Sequence, residues 1–235
     1  MHMNAVVTGS TKGIGLAIVH ALCREGWNVA VTSRNEIDLI KLREELSSSY
    51  PTQSCLSHQV DFSKKEETIR YGQIINETWN NIDLLVNNVG LFRPGAVHLE
   101  EDGSLEEMID TNVYSAYHLT RALLPTMISR RKGCIINMCS IASFMSYPNG
   151  GSYTISKFAL LGFSKVLREE LKPHGIKVTA IMPGATWSDS WAGADFPYER
   201  LMKPEDVAEA VISIIKMSPS SVVEEMIIRP QLGDL

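Results

Sequence analysis

Tyr153 and Lys157 stand four residues apart, so on a helix a phenol and an ammonium share one face, one turn from each other. A free phenol ionises at about pH 10, and a neighbouring cation favours its charged form, which predicts a lowered pKa and a group able to give or take a proton. Ser140 lies thirteen residues before the tyrosine, and Asn112 lies further upstream. The chain opens with Thr8-Gly9-Ser10-Thr11-Lys12-Gly13-Ile14-Gly15. Each piece has an ordinary structural reading: a packing tyrosine, a solvated lysine, a turn serine, a capping asparagine. The ordered set at compatible spacings carries the chemical reading.

The elements that must hold these residues alternate. Asn4 to Thr8 is a short apolar run ending at glycine, after which Ile14, Ala17, Ile18, Ala21 and Leu22 recur at helical spacing. Strands are expected over 27–32, 54–60, 83–86, 134–140, 177–182 and 225–228. Helices are expected over 36–46, 65–79, 105–130 (with Pro125 able to kink or divide it), 153–171 and onward from Pro204. Buried strands alternating with amphipathic helices imply an α/β fold, a parallel sheet covered on both faces. With no linker, repeat or low-complexity tract, residues 1–235 read as one domain.

Gly9, Gly13 and Gly15 fall between the first strand and first helix, where a pyrophosphate would meet backbone N–H groups. Their spacing is Gly-x-x-x-Gly-x-Gly, not the commoner Gly-x-Gly-x-x-Gly. Asp61, at the end of the third strand, has two readings: a partner for an adenine amino group or a solvated loop acid.

The glycine run, Asn87-Asn88-Val89-Gly90, the Asn112/Ser140/Tyr153/Lys157 set and Pro183-Gly184 together resemble the short-chain dehydrogenase/reductase family, in order and across nearly the whole chain. Val89 departs mildly from the alanine most common in that motif. The resemblance implies a Rossmann-type doubly wound sheet in three α/β/α layers, a nicotinamide cofactor and carbonyl–alcohol chemistry. It gives Tyr153 the acid/base role, Lys157 a contact to the nicotinamide ribose, Ser140 the substrate oxygen, and Asn112 support of a water-linked proton path. The expected cofactor contacts are Gly9, Ser10, Lys12, Gly13, Ile14, Gly15, Ser33, Arg34, Asp61, Asn87, Asn88, Gly90, Tyr153, Lys157, Pro183 and Gly184. An NAD enzyme places an acid at the end of the second strand, whereas this chain has Ser33 and Arg34 there, Arg34 nineteen residues after Gly15. A guanidinium suits a 2′-phosphate, and Lys12 is placed to join it, so NADP(H) is the expected cofactor.

On the substrate side, Trp187, Trp191, Phe196 and Tyr198 crowd one polar segment and read equally as a lid or as packing. Phe92, Phe144, Met145 and Tyr147 lie near motif ends as candidate pocket walls, and Asp189 and Asp195 read as exposed loop acids. The tail from Val222 to Pro230, with Gly233-Asp234, is similar to the endings of bacterial sepiapterin-reductase-like members and raises a pterin substrate. A 3-oxoacyl thioester, an alcohol oxidised in reverse, and a silent NADP-binding regulator stay open; the intact tetrad argues against the last.

Hydrophobic residues make up 44% and charged residues 21%, and the net charge is −5, which gives no field to recruit nucleic acid or acidic membranes. The cluster Arg130-Arg131-Lys132 reads as a solvated helix end. The four cysteines and six histidines show no metal-ligand spacing, so no metal is expected and the thiols read as buried and free in a reducing cytoplasm. No apolar run is long enough to span a membrane. Val113, Ala116, Tyr117, Thr120 and Leu124, with Phe158, Leu161, Phe163 and Leu167, place apolar or small groups on two long helices, which predicts a homodimer or homotetramer.

Overall fold

The computed structural model describes residues 3–188 and 197–234. Seven strands form one sheet in the order β3-β2-β1-β4-β5-β6-β7. They are β1 (Asn4–Val7), β2 (Asn28–Ser33), β3 (Cys55–Gln59), β4 (Leu84–Asn87), β5 (Gly133–Met138), β6 (Ile176–Pro183) and β7 (Glu225–Ile228), and every pairing is parallel. The helices are α1 (Gly13–Arg24), α2 (Glu36–Ser49), α3 (Lys65–Thr78), α4 (Ser104–Ile109), α5 (Ser115–Arg130), α6 (Gly151–Leu171) and α7 (Pro204–Ile215).

Strand side chains alternate between two cores because the side-chain period is two. Ala5, Val7, Val29, Val31, Leu84 and Val86 pack under α1, α2 and α7, while Val6, Ala30, Leu85, Ile135 and Val178 pack under α3, α5 and α6. Both faces are covered, so the strands read as continuous apolar runs. Chain order reverses between β1 and β4, which opens a crevice at their carboxyl ends. This is the expected Rossmann-type fold.

Two expectations need correction. The segment 105–130 is not one helix divided at Pro125. It changes winding at Asp110–Tyr114, a π-helical turn centred on Asn112, and Pro125 lies inside α5. The reason is side-chain bonding from outside the helix. Asn112 Oδ1 accepts from Leu91 N at 2.6 Å and Asn112 Nδ2 donates to Leu91 O at 3.0 Å, drawing the turn toward the neighbouring loop. On α3, Asn76 donates to Ala122 O and accepts from Thr126 Oγ1, each at 2.8 Å, gripping α5 on both sides of the proline.

The basic cluster is likewise more than a solvated helix end. Arg130 and Lys132 reach the buried Asp83 carboxylate at 3.0 and 3.2 Å, and Asn4 N donates to its other oxygen at 3.1 Å. Burial acts to raise the Asp83 pKa, but these donors and cations outweigh it and hold the carboxyl below its ordinary value. The four cysteines are free; Cys23, Cys134 and Cys139 are buried and Cys55 is half-buried. Burial pushes Cys23 and Cys134 up to about 12 and Cys55 to about 11, which keeps those three as thiols. Among the described residues, no His/Cys/Asp/Glu group is placed to hold a metal, and no helix is long and apolar enough to cross a membrane.

Candidate active site

At the carboxyl ends of the central strands lies a cavity of about 560 Å³. Four strand ends deliver its functional residues: the glycine loop after β1, Asn88 and Gly90 after β4, Ser140 after β5, and Pro183-Gly184 closing β6. Tyr153 and Lys157 enter from the first two turns of α6.

The glycine loop is built by backbone necessity. Gly9 and Gly13 have φ of 61° and 53°, the left-handed region that side chains disfavour. A Cβ on Gly15 would lie 2.3 Å from Gly9 O and 2.6 Å from Asn88 Nδ2, so α1 can approach the loop this closely only with glycine there. Lys12 precedes α1 and makes no side-chain cap to its first turn, and Lys12, Gly13 and Ile14 line the cavity. Such a helix start presents N–H groups and the positive end of a dipole, which fits a pyrophosphate. Asn88 Nδ2 ties the loop down by donating to Thr8 O and Gly9 O, both at 3.0 Å. Thr8 Oγ1 accepts from Asn88 N and Val89 N at 2.9 and 3.1 Å, a role that the sequence reading missed.

Several expected cofactor contacts have other work. Ser10 is fully buried; its Oγ donates to Val7 O and accepts from Thr32 N, each at 2.9 Å, which holds the turn from inside. Asn87 also points inward, donating to Thr120 Oγ1 at 3.0 Å and Asn137 Oδ1 at 2.8 Å. Neither side chain lines the cavity, because both lie on the interior side of their strand ends. Asp61 accepts from Ser63 N and Ser63 Oγ at 3.1 and 2.7 Å and pairs with Lys64 at 3.8 Å. Burial opposes its ionisation, yet these partners hold its pKa below the ordinary value. Arg34 is exposed just beyond β2, with Ser33 half-buried before it. Asn35 caps α2 by accepting from Ile37 N and Asp38 N.

The catalytic candidates converge. Lys157 is buried and donates to Met138 O at 2.9 Å, with its Nζ 5.7 Å from the centre of the Tyr153 ring. Burial lowers the Lys157 pKa. Burial also raises the Tyr153 pKa, with a hydrogen bond from Ser140 acting against it. This corrects the expectation of a lysine-lowered phenol: the ammonium is turned toward a carbonyl, and desolvation dominates both groups. Ser140 is set by its own turn, its Oγ accepting from Ala142 N at 3.1 Å and its N–H donating to Ser143 Oγ at 3.2 Å. Asn112 is buried outside the cavity lining, but its Nδ2 donates to Ser156 Oγ at 2.8 Å, and Ser156 Oγ donates to Tyr153 O at 2.7 Å. It thereby braces the helix turn that carries the tyrosine.

Phe92, Met145 and Tyr147 form part of the wall; Phe144 is exposed and does not line it. Phe92 meets the Tyr153 ring edge-on, with centroids 4.9 Å apart. Trp187 is partly exposed beside the mouth, whereas Asp189, Trp191, Asp195, Phe196 and the Tyr198 side chain lie outside the described residues. In sequence Asp234 belongs to the tail, far from every motif of the site. It lines the cavity against Gly184 and pairs with Arg229, and its buried Oδ1 has no hydrogen-bond partner among the described residues.

A parallel sheet with its crevice at the reversal of strand order, a glycine loop at a helix start and a Ser/Tyr/Lys cluster define a class of dinucleotide-dependent enzymes. Residues 3–195 match the short chain dehydrogenase family, and this chain belongs to that family of oxidoreductases. It is 31% identical over 227 residues to an uncharacterized oxidoreductase of Staphylococcus saprophyticus, covering 96% of each chain. Among solved structures it is similar to a metagenomic short-chain oxidoreductase in complex with NADP, with TM-score 0.85, 29% identity and 97% of each chain covered. It is also similar to an alcohol dehydrogenase from the archaeon Thermococcus sibiricus complexed with 5-hydroxy-NADP, with TM-score 0.90, 28% identity, and 98% and 97% of the two chains covered.

Proposed function

We propose that this protein binds NADP(H) and reduces a ketone or aldehyde of a small molecule to an alcohol, with Tyr153 as general acid. The observation that carries this reading is the meeting of Ser140, Tyr153 and Lys157 in the cavity that the Lys12-Gly13-Ile14 helix start also enters. The bound nicotinamide would supply the hydride. Ser140 Oγ would hold the substrate oxygen, and the phenol would deliver a proton to it. Burial raises the Tyr153 pKa and so favours the protonated phenol that a general acid needs. Lys157, already buried beside the ring, would hold the nicotinamide ribose.

Arg34 supports NADP(H) over NAD(H), as do the NADP-type complexes of the two solved relatives. Arg34→Asp is expected to shift preference from NADPH toward NADH by about tenfold or more, the worth of one charge-assisted contact. Paired kcat/KM measurements would check this, and equal use of both cofactors by the unaltered protein would remove the assignment.

A second reading keeps the mechanism and narrows the substrate to a pterin ketone. The unpartnered Asp234 Oδ1 favours it, because a buried carboxylate oxygen beside the cavity suits a substrate rich in N–H donors. A screen of diketones, acyl thioesters and pterins, followed by NADPH absorbance, tests both readings. Turnover of none of them would defeat carbonyl reduction, and a pterin with the lowest KM would select the second reading.

We further infer a cytoplasmic homodimer or homotetramer. Of the residues first assigned to this contact, Ala116, Thr120, Leu161 and Leu167 are buried within the domain, while Phe158 is exposed. Tyr114, in the turn before α5, and Ile155 and Val166 on α6 are also exposed, and exposed apolar side chains on these segments suit a symmetric partner. Light scattering at low micromolar concentration is expected to report at least a dimer; a fully active monomer would overturn this.

A further inference from the structure

Two loops wall the cavity beside the tyrosine. Residues 88–103 carry Phe92, and residues 144–150 carry Met145 and Tyr147 and lead into α6. They are joined by an isolated parallel bridge between Gly95 and Gly150, in which Gly95 N donates to Asn149 O at 2.9 Å, and by a carboxylate. Glu100 Oε1 accepts from Ser152 N at 2.9 Å, and Glu100 Oε2 accepts from Ser152 Oγ at 2.5 Å. Ser152 is only 2% exposed and immediately precedes Tyr153.

The contact is built for this carboxylate. The residue before α6, Gly150, offers no side-chain cap, so the first turn takes its acceptor from the other loop, 52 positions away in sequence. A Cβ on Gly151 would lie 2.1 Å from Glu100 Oε1, and one on Gly95 would lie 2.6 Å from Glu100 Cγ. Glycine at both places lets the acid reach the helix start. A negative charge there meets both the first-turn N–H groups and the positive end of the helix dipole.

We propose that Glu100 is a positioning residue for the reaction. Its carboxylate caps the catalytic helix from the opposing loop, sets the first turn that carries Tyr153, and holds the loop that presses Phe92 edge-on against the phenol ring. It touches no reacting atom. Its effect runs through placement, and a misplacement of about 1 Å at a reacting group can lower rate by roughly 100-fold. A glutamine at this position keeps the size and can still accept from Ser152 N through its oxygen and donate to Ser152 Oγ through its NH2, so it loses the charge but can keep the contact.

The activity part of the test rests on the carbonyl-reduction reading, so a second readout is independent of turnover. With NADPH and a carbonyl accepted by the unaltered protein, Glu100→Ala is expected to lower kcat about tenfold or more while NADPH Kd stays within about twofold; Glu100→Gln should recover a large part of the loss. Amide hydrogen exchange should show protection lost over residues 152–155 and unchanged in α7. Unchanged exchange at 152–155 in a folded Glu100→Ala protein would overturn the proposal. So would a matching loss of NADPH affinity, or a Gln variant no better than Ala. If Glu100→Ala does not fold, Ser152→Ala removes the hydroxyl half of the contact and should lower kcat in the same sense; an unchanged kcat would count against the latch. If the unaltered protein turns over no carbonyl, the functional reading fails and exchange alone decides the latch.

Discussion

Tyr153→Phe is expected to lower kcat by roughly 10²–10⁴-fold while NADPH affinity stays within about twofold. The substitution removes the phenol hydroxyl that α6 brings into the cavity beside Ser140 and Lys157, and it keeps the ring that Phe92 packs against at 4.9 Å. Packing, and with it the cavity wall, should therefore survive. A melting temperature close to that of the unaltered protein would show that the fold is intact. Steady-state kinetics with the best carbonyl of the screen, together with NADPH titration, would check both halves. Activity near that of the unaltered protein would sink the assignment of Tyr153 as the proton donor.

The second large effect concerns the cofactor loop. Alanine is the better helix former, by about 0.5–1 kcal/mol in an ordinary helix interior. At Gly15, however, the added Cβ would meet the Gly9 carbonyl at 2.3 Å and the Asn88 amide at 2.6 Å. Neither can yield cheaply, because Gly9 O is backbone and Asn88 is bonded to Thr8 O and Gly9 O. Overpacking of this kind costs about 1–3 kcal/mol, which outweighs the propensity gain. For a domain of this size each kcal/mol shifts Tm by about 2–4 °C, so Gly15→Ala should melt several degrees lower. Moving the start of α1 also displaces the N–H groups offered to a pyrophosphate, and NADPH Kd should rise by about tenfold or more. Thermal melts and cofactor titration would check this; an unchanged Tm and Kd would mean that the loop has room the contacts deny.

Most of the architecture was legible because the signals were local. Apolar runs of strand length alternating with helical periodicity dictated a parallel sheet, and β7 (Glu225–Ile228) and the start of α7 at Pro204 fall where they were expected. Glycine at 9, 13 and 15 marked a tight loop before α1, for reasons a single residue can carry: positive φ at two positions and no space for a Cβ at the third. The four-residue spacing of Tyr153 and Lys157 was enough to put them on one helix face.

What the sequence could not determine depends on contacts between distant segments. Ser10 and Asn87 sit inside motifs that suggest cofactor contact, but the side of the chain on which each emerges is set by the packing of β1 and β4, and both turn inward. The winding change at Asn112 comes from Leu91, the pairing of Asp83 from Arg130 and Lys132, and the cap on α6 from Glu100. Each is a bond between residues tens of positions apart, for which no periodicity exists to be read. The protonation of the site follows the same rule. Spacing alone predicted that lysine would lower the phenol, but desolvation is a property of the folded interior, and only the tertiary structure made it the larger effect on both groups.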